Sequence, residues 1–280
     1  MKEKIENTSF SVMQATPATW KMLLQAGWRK ELPIKILCGG EELSNELADN
    51  LLNLSREVWN LYGPTETTIW SAVAKIEDKQ DITIGNPIMN TQLYVLDNNL
   101  NSCPIGAVGE LYIGGEGLAK GYINNTEETS KKFLSNPFSL NESQKIYKTG
   151  DMARYREDGK IECLGRIDNQ VKIRGFRIEL NEIEKALQEV DGVIDAVVLL
   201  RNEDIQNKRL TAFVIAENSI EEISVSFFHK LLSDKLPKYM IPAQFIRLSN
   251  FPSTLNGKFD RKTLSSKKYQ RFSNFIIIKN

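Results

Sequence analysis

The chain has 280 residues, a length that predicts about two domains at roughly 150 residues each. Its 36 Lys plus Arg balance 36 Asp plus Glu, and 41% of its residues are hydrophobic. That mix excludes wholesale disorder, and it argues against a nucleic-acid or membrane binder that works by bulk charge.

Pro17 suits the first turn of a helix with Trp20, Leu23 and Leu24 on one face. Residues 34–38 read as a buried strand closed by Gly39-Gly40, and Ser44 and Glu46 begin a helix that runs through Leu54. Residues 58–61 form another short strand, which runs into Gly63-Pro64. This rhythm predicts an α/β layered domain. Further on, residues 92–97, 109–115 and 161–164 read as strands between glycine-marked turns, a mainly β section like a small distorted barrel. Asn181 is expected to cap a helix carrying Ile183, Ala186, Leu187 and Val190, with Glu184 closing a capping box. Residues 193–200, 209–216 and 244–248 read as strands and 225–236 as a helix, so a compact α+β unit follows a junction near residues 165–170.

Cys38, Cys103 and Cys163 lie far apart, which excludes a disulfide scaffold and predicts a reducing, cytoplasmic setting. The opening MKEKIENTSF has no apolar core behind its lysines and does not read as a secretory signal. No stretch approaches the ~20 apolar residues of a membrane helix. The single histidine, His229, stands beside Phe227 and Phe228 on an expected helix face, which argues against a Ser-His-Asp triad or a His-built metal site. The glycines of GGEGLAKG are spaced wrongly for a dinucleotide fingerprint.

What remains is a set of polar residues in glycine- or proline-marked turns. Asp151, in Thr149-Gly150-Asp151, suits the two hydroxyls of a ribose. Glu66, in YGPTE, can hold Mg²⁺ against phosphate oxygens, and Thr65 can donate to the same phosphate. Arg166 offers a planar fork for phosphate or ribose, and Lys258 a mobile point charge for a phosphorus centre. Each also has a plain structural reading, as a surface turn, a hairpin tip at Asn256-Gly257-Lys258 or an amphipathic strand at VKIRG.

Their joint order is more specific. NLYGPTETT (60–68), GELYIGGEGLAKGY (109–122), YKTGD (147–151), GRIDNQVKIRGFRIELNEIE (165–184), LPKYMIP (236–242) and NGKFDRKTL (256–264) resemble the adenylate-forming, AMP-binding enzymes. The likeness is greatest to the amino-acid adenylation domains of nonribosomal peptide synthetases, and it runs from about Ser11 to Leu264.

The resemblance implies an α/β fold in three parts. Residues 1–167 would be the C-terminal portion of the large domain, 168–265 a small mobile domain and 266–280 a disordered tail. It implies activation of an amino acid with Mg·ATP to an aminoacyl-AMP, then transfer to a phosphopantetheine thiol on a peptidyl carrier protein. Tyr62 and Gly63 would lie at the adenine, Thr65 at the α-phosphate, Glu66 on Mg²⁺, and Asp151 and Arg166 at the ribose. Lys258 would reach substrate carboxylate and phosphate, Asp168 would be the hinge, and Lys172 and Arg174 would lie on the face used for thioester transfer. Gln14, Ile36, Cys38, Leu61, Ile69 and Trp70 would line a small, glycine-like side-chain pocket.

The chain departs from the pattern in having no Ser/Thr/Gly-rich phosphate loop before Tyr62, and no aspartate motif for the substrate amine. A separate N-terminal adenylation half is therefore an expected partner. A non-catalytic remnant that docks a carrier protein and an acyl- or aryl-CoA ligase are the rival readings.

Overall fold

The computed structural model describes residues 2–7, 9–141, 143–202, 208–217, 225–252, 260–266 and 276–277. The chain divides into two compact units, Met1–Asp168 and Asn169–Asn280.

The first unit opens with α1 (Lys2–Asn7), β1 (Val12–Ala15), α2 (Pro17–Gln25), β2 (Leu32–Gly39), α3 (Asn45–Leu52) and β3 (Ser55–Tyr62). A single 3-10 turn, Thr65–Thr67, precedes β4 (Ala72–Ile76) and β5 (Asn86–Pro87). These five strands form one sheet in the order of the chain, β1 to β3 parallel and the rest antiparallel. The helices start where local chemistry supplies a cap. The Thr16 hydroxyl accepts the Thr19 N–H ahead of Pro17, and the Ser44 hydroxyl accepts the Leu47 N–H, each at 3.4 Å. Helix α3 stops at Leu52, short of the expected Leu54. Trp20, Leu23, Leu47 and Leu51 pack on Ile34, Ile36, Cys38 and Val58 and cover one face of the sheet. The three parallel strands end at a common edge, the place where open α/β sheets take ligands.

The second sheet of this unit follows as β6 (Thr91–Leu96), β7 (Val108–Gly115), α4 (Thr126–Lys132), β8 (Phe133–Ser135), β9 (Lys145–Tyr155) and β10 (Ile161–Arg166). Its antiparallel order is β10-β9-β7-β6, with β8 on β9, and it forms the curled β section. Leu93, Val95, Leu111, Ile113, Ala153 and Ile161 build the core on one side, and Leu96, Tyr112 and Ile146 on the other. Thr149-Gly150-Asp151 is not a turn, as its composition predicts, but the middle of β9. The register against β7 shifts between Glu110 and Tyr112, so the long strand bends there and continues. Helix α4 leaves no periodic signal in the sequence, since all seven of its residues are polar and none is buried.

The second unit holds the hairpin β11 (Gln170–Ile173) and β12 (Phe176–Glu179), then α5 (Leu180–Gln188), β13 (Val193–Asn202), β14 (Lys208–Ala216), α6 (Val225–Ser233), β15 (Gln244–Arg247), α7 (Arg261–Ser266) and β16 (Ile276–Ile277). The last four strands form one sheet in chain order. Ile183, Leu187, Phe228 and Leu232 pack on Ala196, Val198, Ala212 and Val214 on one face. Phe213, Val197, Ile246 and Leu264 fill the other. Burial on both faces is why VVLL and AFVIA read as continuous apolar runs.

The expected cap at Asn181 is corrected here. Helix α5 starts earlier, at Leu180, Glu179 stands at the N-cap without a side-chain bond, and Asn181 lies inside the first turn. Glu184 closes no capping box; it accepts the Val198 N–H at 2.8 Å and the Arg261 guanidinium at 2.9 Å, and so ties α5 to the sheet. Residues 267–275 and 278–280, most of the stretch read as a disordered tail, lie outside the described residues. Among the described residues no helix is long and apolar enough to cross a membrane.

Candidate functional site

The site grows from the end of β3. Tyr62 closes the strand, and the chain folds back so tightly that the Ser71 N–H donates to the Tyr62 carbonyl at 2.8 Å. A Cβ at Gly63 would fall 2.4 Å from the Ile69 carbonyl oxygen, so only glycine fits this crossing. The fold-back turns Glu66 inward, 9% exposed, and leaves Thr65 on the outside. The Thr67 and Ser71 hydroxyls meet at 2.6 Å beneath the turn. Thr68 and Ile69 both take left-handed backbone, φ 62° and 73°. For a β-branched pair that is strained, and such strain persists only where its surroundings enforce it.

Strands β9 and β10 supply the partners of this turn. The Tyr62 hydroxyl donates to Asp151 on β9. Arg166, closing β10, donates Nη1–H to the other Asp151 oxygen at 2.8 Å and Nη2–H to the Thr149 carbonyl at 3.0 Å. Its Nε and Nη2 also grip both Asp168 oxygens at 2.6 Å. The Thr149 hydroxyl accepts the Asp151 N–H at 3.0 Å and donates to the Leu111 carbonyl at 2.7 Å, fixing the bend. Asp151 and Arg166 are each 15% exposed, so the pair is only partly screened by water. Burial first, then the Asp151 charge, lifts the Tyr62 phenol well above its ordinary range and keeps it a donor.

Glu66 has two further neighbours that motif reading passed over. Tyr122 and Tyr147 each donate a hydroxyl to Glu66 Oε1 at 2.7 Å. Burial, then the hydrogen bonds to Tyr147 and Glu66, pushes the Tyr122 phenol far above its usual range. The signal was present in the sequence, since Tyr122 ends the motif GELYIGGEGLAKGY and Tyr147 begins YKTGD.

The proposed side-chain pocket separates onto two faces. In the ladders Gln14 pairs with Leu37 and Gly39 with Leu61, which places Gln14, Leu37, Gly39 and Leu61 on one face at the strand ends. A Cβ at Gly39 would lie 2.6 Å from the Trp70 ring, so the indole rests directly on that glycine. Ile36 and Cys38 alternate to the opposite face, fully buried against α2 and α3. This corrects their expected grouping with Gln14 and Leu61, since Leu37 and Gly39 are the β2 residues on that face. Burial pushes the Cys38 thiol up to about 12, in keeping with a core residue. Ile69 is 60% exposed on the strained turn.

Lys258 lies outside the described residues, as does the hairpin tip expected at 256–258. Lys172 sits half-buried on β11 opposite Arg177, and Arg174 takes left-handed backbone, φ 53°, at that hairpin's tip. Among the described residues no group of three or more His, Cys, Asp or Glu could hold a metal. One inward carboxylate, Glu66, fits the way Mg²⁺ is usually held, by one or two carboxylates with phosphate oxygens and water completing the set.

Comparison with known proteins gives the chain a family. Residues 1–123 match the model of the AMP-binding enzyme family, and residues 182–258 that of the AMP-binding enzyme C-terminal domain. The chain is 44% identical over 266 residues to a dimodular nonribosomal peptide synthase of Bacillus subtilis (strain 168), covering 94% of this chain and 11% of that protein. It is 48% identical over 241 residues to malpinin synthetase of Mortierella alpina, covering 83% of this chain and 3% of that one. The chain thus spans a small part of the curated relatives it matches. Among solved structures, holo-AB3403, a four-domain nonribosomal peptide synthetase bound to AMP and glycine, is 44% identical with a TM-score of 0.59, covering 98% of this chain and 20% of that one. Holo-PA1221, with adenylation and PCP domains bound to a vinylsulfonamide inhibitor, is 28% identical with a TM-score of 0.78, covering 94% and 46%.

Proposed function

The chain belongs to the AMP-binding, adenylate-forming enzymes, and on that premise we propose that it works in an amino-acid adenylation domain of nonribosomal peptide synthesis. In this reading ATP and an amino acid give an aminoacyl-AMP and pyrophosphate, and the acyl group then passes to the phosphopantetheine thiol of a carrier protein. The observation that carries the proposal is the convergence of two hydrogen bonds across the first unit. Tyr62 reaches Asp151 over 89 residues of sequence, and Tyr147 reaches Glu66 over 81.

Asp151 accepts the ribose hydroxyls, and Arg166 holds that carboxylate in place with its planar fork. Tyr62 and Gly63 form the wall toward the adenine, and Thr65 donates to the α-phosphate. Glu66 would hold Mg²⁺, which when bound neutralises phosphate charge. Lys258 is assigned to the substrate carboxylate and phosphate, Asp168 to the hinge, and Lys172 to thioester transfer. Trp70 lying on Gly39 removes volume from the pocket face, which favours a small side chain such as glycine; the amino acid in the holo-AB3403 complex is consistent with that choice. Residues 1–61 hold no Ser/Thr/Gly-rich loop. The proposal therefore gives phosphate wrapping and the amine-binding aspartate to residues outside this sequence, whether on the same polypeptide or a separate one.

The test is amino-acid-dependent pyrophosphate exchange, run on these residues alone and on the longest polypeptide that carries them, together with AMP binding. Exchange with glycine or another small amino acid supports the reading. So does an AMP affinity about 10-fold or more weaker in Asp151→Ala, since a charge-assisted hydrogen bond contributes ~1.5–3 kcal/mol. Exchange with no amino acid, or AMP binding that ignores Asp151, refutes it.

A further inference from the structure

We propose that Tyr122 and Tyr147 are positioning residues for Glu66, an inference that rests on the adenylation reading and deepens it. Glu66 sits on a strained fold-back whose next residues, Thr68 and Ile69, are left-handed. A carboxylate on such a turn could swing through several rotamers unless something outside the turn holds it. Two phenols do so from separate elements. Tyr147 comes from β9, four residues before Asp151, and Tyr122 from the segment between β7 and α4.

Both hydroxyls donate to the same oxygen, Oε1, at 2.7 Å, and they lie 3.4 Å from each other. Two donors on one oxygen set its lone-pair directions and so fix how the carboxylate is turned. Phe133 packs beside both rings, with centroids 5.6 Å from Tyr122 and 5.2 Å from Tyr147. Tyr147 is fully buried, and the Thr129 hydroxyl accepts the Tyr122 backbone N–H at 2.9 Å, so the donors are themselves held. The phenols thus aim Glu66 as the outer hydrogen bonds of a metal-binding carboxylate do, without touching nucleotide or cation. Because Tyr147 and Asp151 share β9, one strand also links the positions of the cation-binding and ribose-binding carboxylates.

The experiment uses Tyr122→Phe, Tyr147→Phe and the double variant, which keep the rings and remove only the donors. In protein carrying [¹³Cζ]tyrosine, Glu66→Gln should shift two Cζ resonances, the one that Tyr122→Phe deletes and the one that Tyr147→Phe deletes. In pyrophosphate exchange the Mg²⁺ concentration for half-maximal rate should rise about 10-fold or more in the double variant, with the amino-acid KM within about twofold. Cζ resonances that ignore Glu66→Gln overturn the inference. A proportional fall in every kinetic parameter also overturns it, because that is what a merely structural role produces. A wild type without exchange refutes the adenylation reading instead, and the Cζ shifts then still decide whether the phenols hold Glu66.

Discussion

The sheet of the second unit and the polar end of the first are built on opposite principles. In the second unit β13 and β14 pair antiparallel along their length with one register shift between Val193 and Asp195, and apolar side chains cover both faces. Many interchangeable methyl contacts share that work, so the loss of any one is graded. At the end of β3 the work falls to single atoms. Glu66 Oε1, the Asp151 carboxylate and the Arg166 fork are tied by hydrogen bonds spanning 15 to 89 residues of sequence. The contrast implies that core changes act on stability and site changes on chemistry, a division that substitutions on either side can break.

The largest effect is expected from Phe213→Ala. Phe213 is fully buried in β14 among Val197, Leu199 and Ile246. Truncation of such a ring costs about 3–5 kcal/mol through lost transfer energy and the cavity left behind. Denaturant unfolding followed by far-UV circular dichroism should show a transition at a clearly lower midpoint, while AMP binding by the folded fraction is kept. A variant that unfolds like the wild type but loses AMP binding would break the division.

The same contrast explains what could be read from the sequence. The apolar strands and helices of both units were visible because their signal is local: Trp20 and Leu23 at helical spacing, or VVLL and AFVIA as buried runs. The site residues were legible only through the order of their motifs, because nothing local links Tyr62 to Asp151. Tyr122 and Tyr147 stood in the motifs without a role, since a phenol becomes informative only when its partner's position is known. The pocket failed by one residue on β2. In a strand that slip exchanges faces, and motif spacing alone does not say which face the helices cover.

Substitution at Trp70 tests that corrected face, with a middling effect. If the indole lies on Gly39 and limits the pocket, Trp70→Ala should shift preference toward larger side chains. A change of one methylene in such a pocket is worth ~1–3 kcal/mol, or about 10- to 200-fold in relative kcat/KM. Cys38→Ala, on the opposite face, should leave the ranking of amino acids unchanged while lowering stability modestly. A reversed result, with Cys38 controlling selectivity and Trp70 not, would restore the original assignment and place the pocket on the helix side.

The smallest prediction sets two helix starts against each other. Both Ser44 and Asn181 carry cap-type side chains ahead of apolar periodicity, and sequence alone treats them alike. In the structure only Ser44 occupies the N-cap, extended at φ −79° and ψ 152° with its hydroxyl accepting the Leu47 N–H. Asn181 already lies within α5, where Glu179 has taken the boundary because β12 runs directly into the helix. Ser44→Ala should therefore cost about 0.5–1 kcal/mol, toward the low end of the usual range because the bond is 3.4 Å long. Asn181→Ala should be neutral or slightly stabilising, because alanine is the better residue within a helix. Chemical denaturation of the two variants side by side resolves differences of this size. A larger loss at Asn181 than at Ser44 would mean that α5 begins after Asn181 in solution, and that its capping signal was legible in the sequence after all.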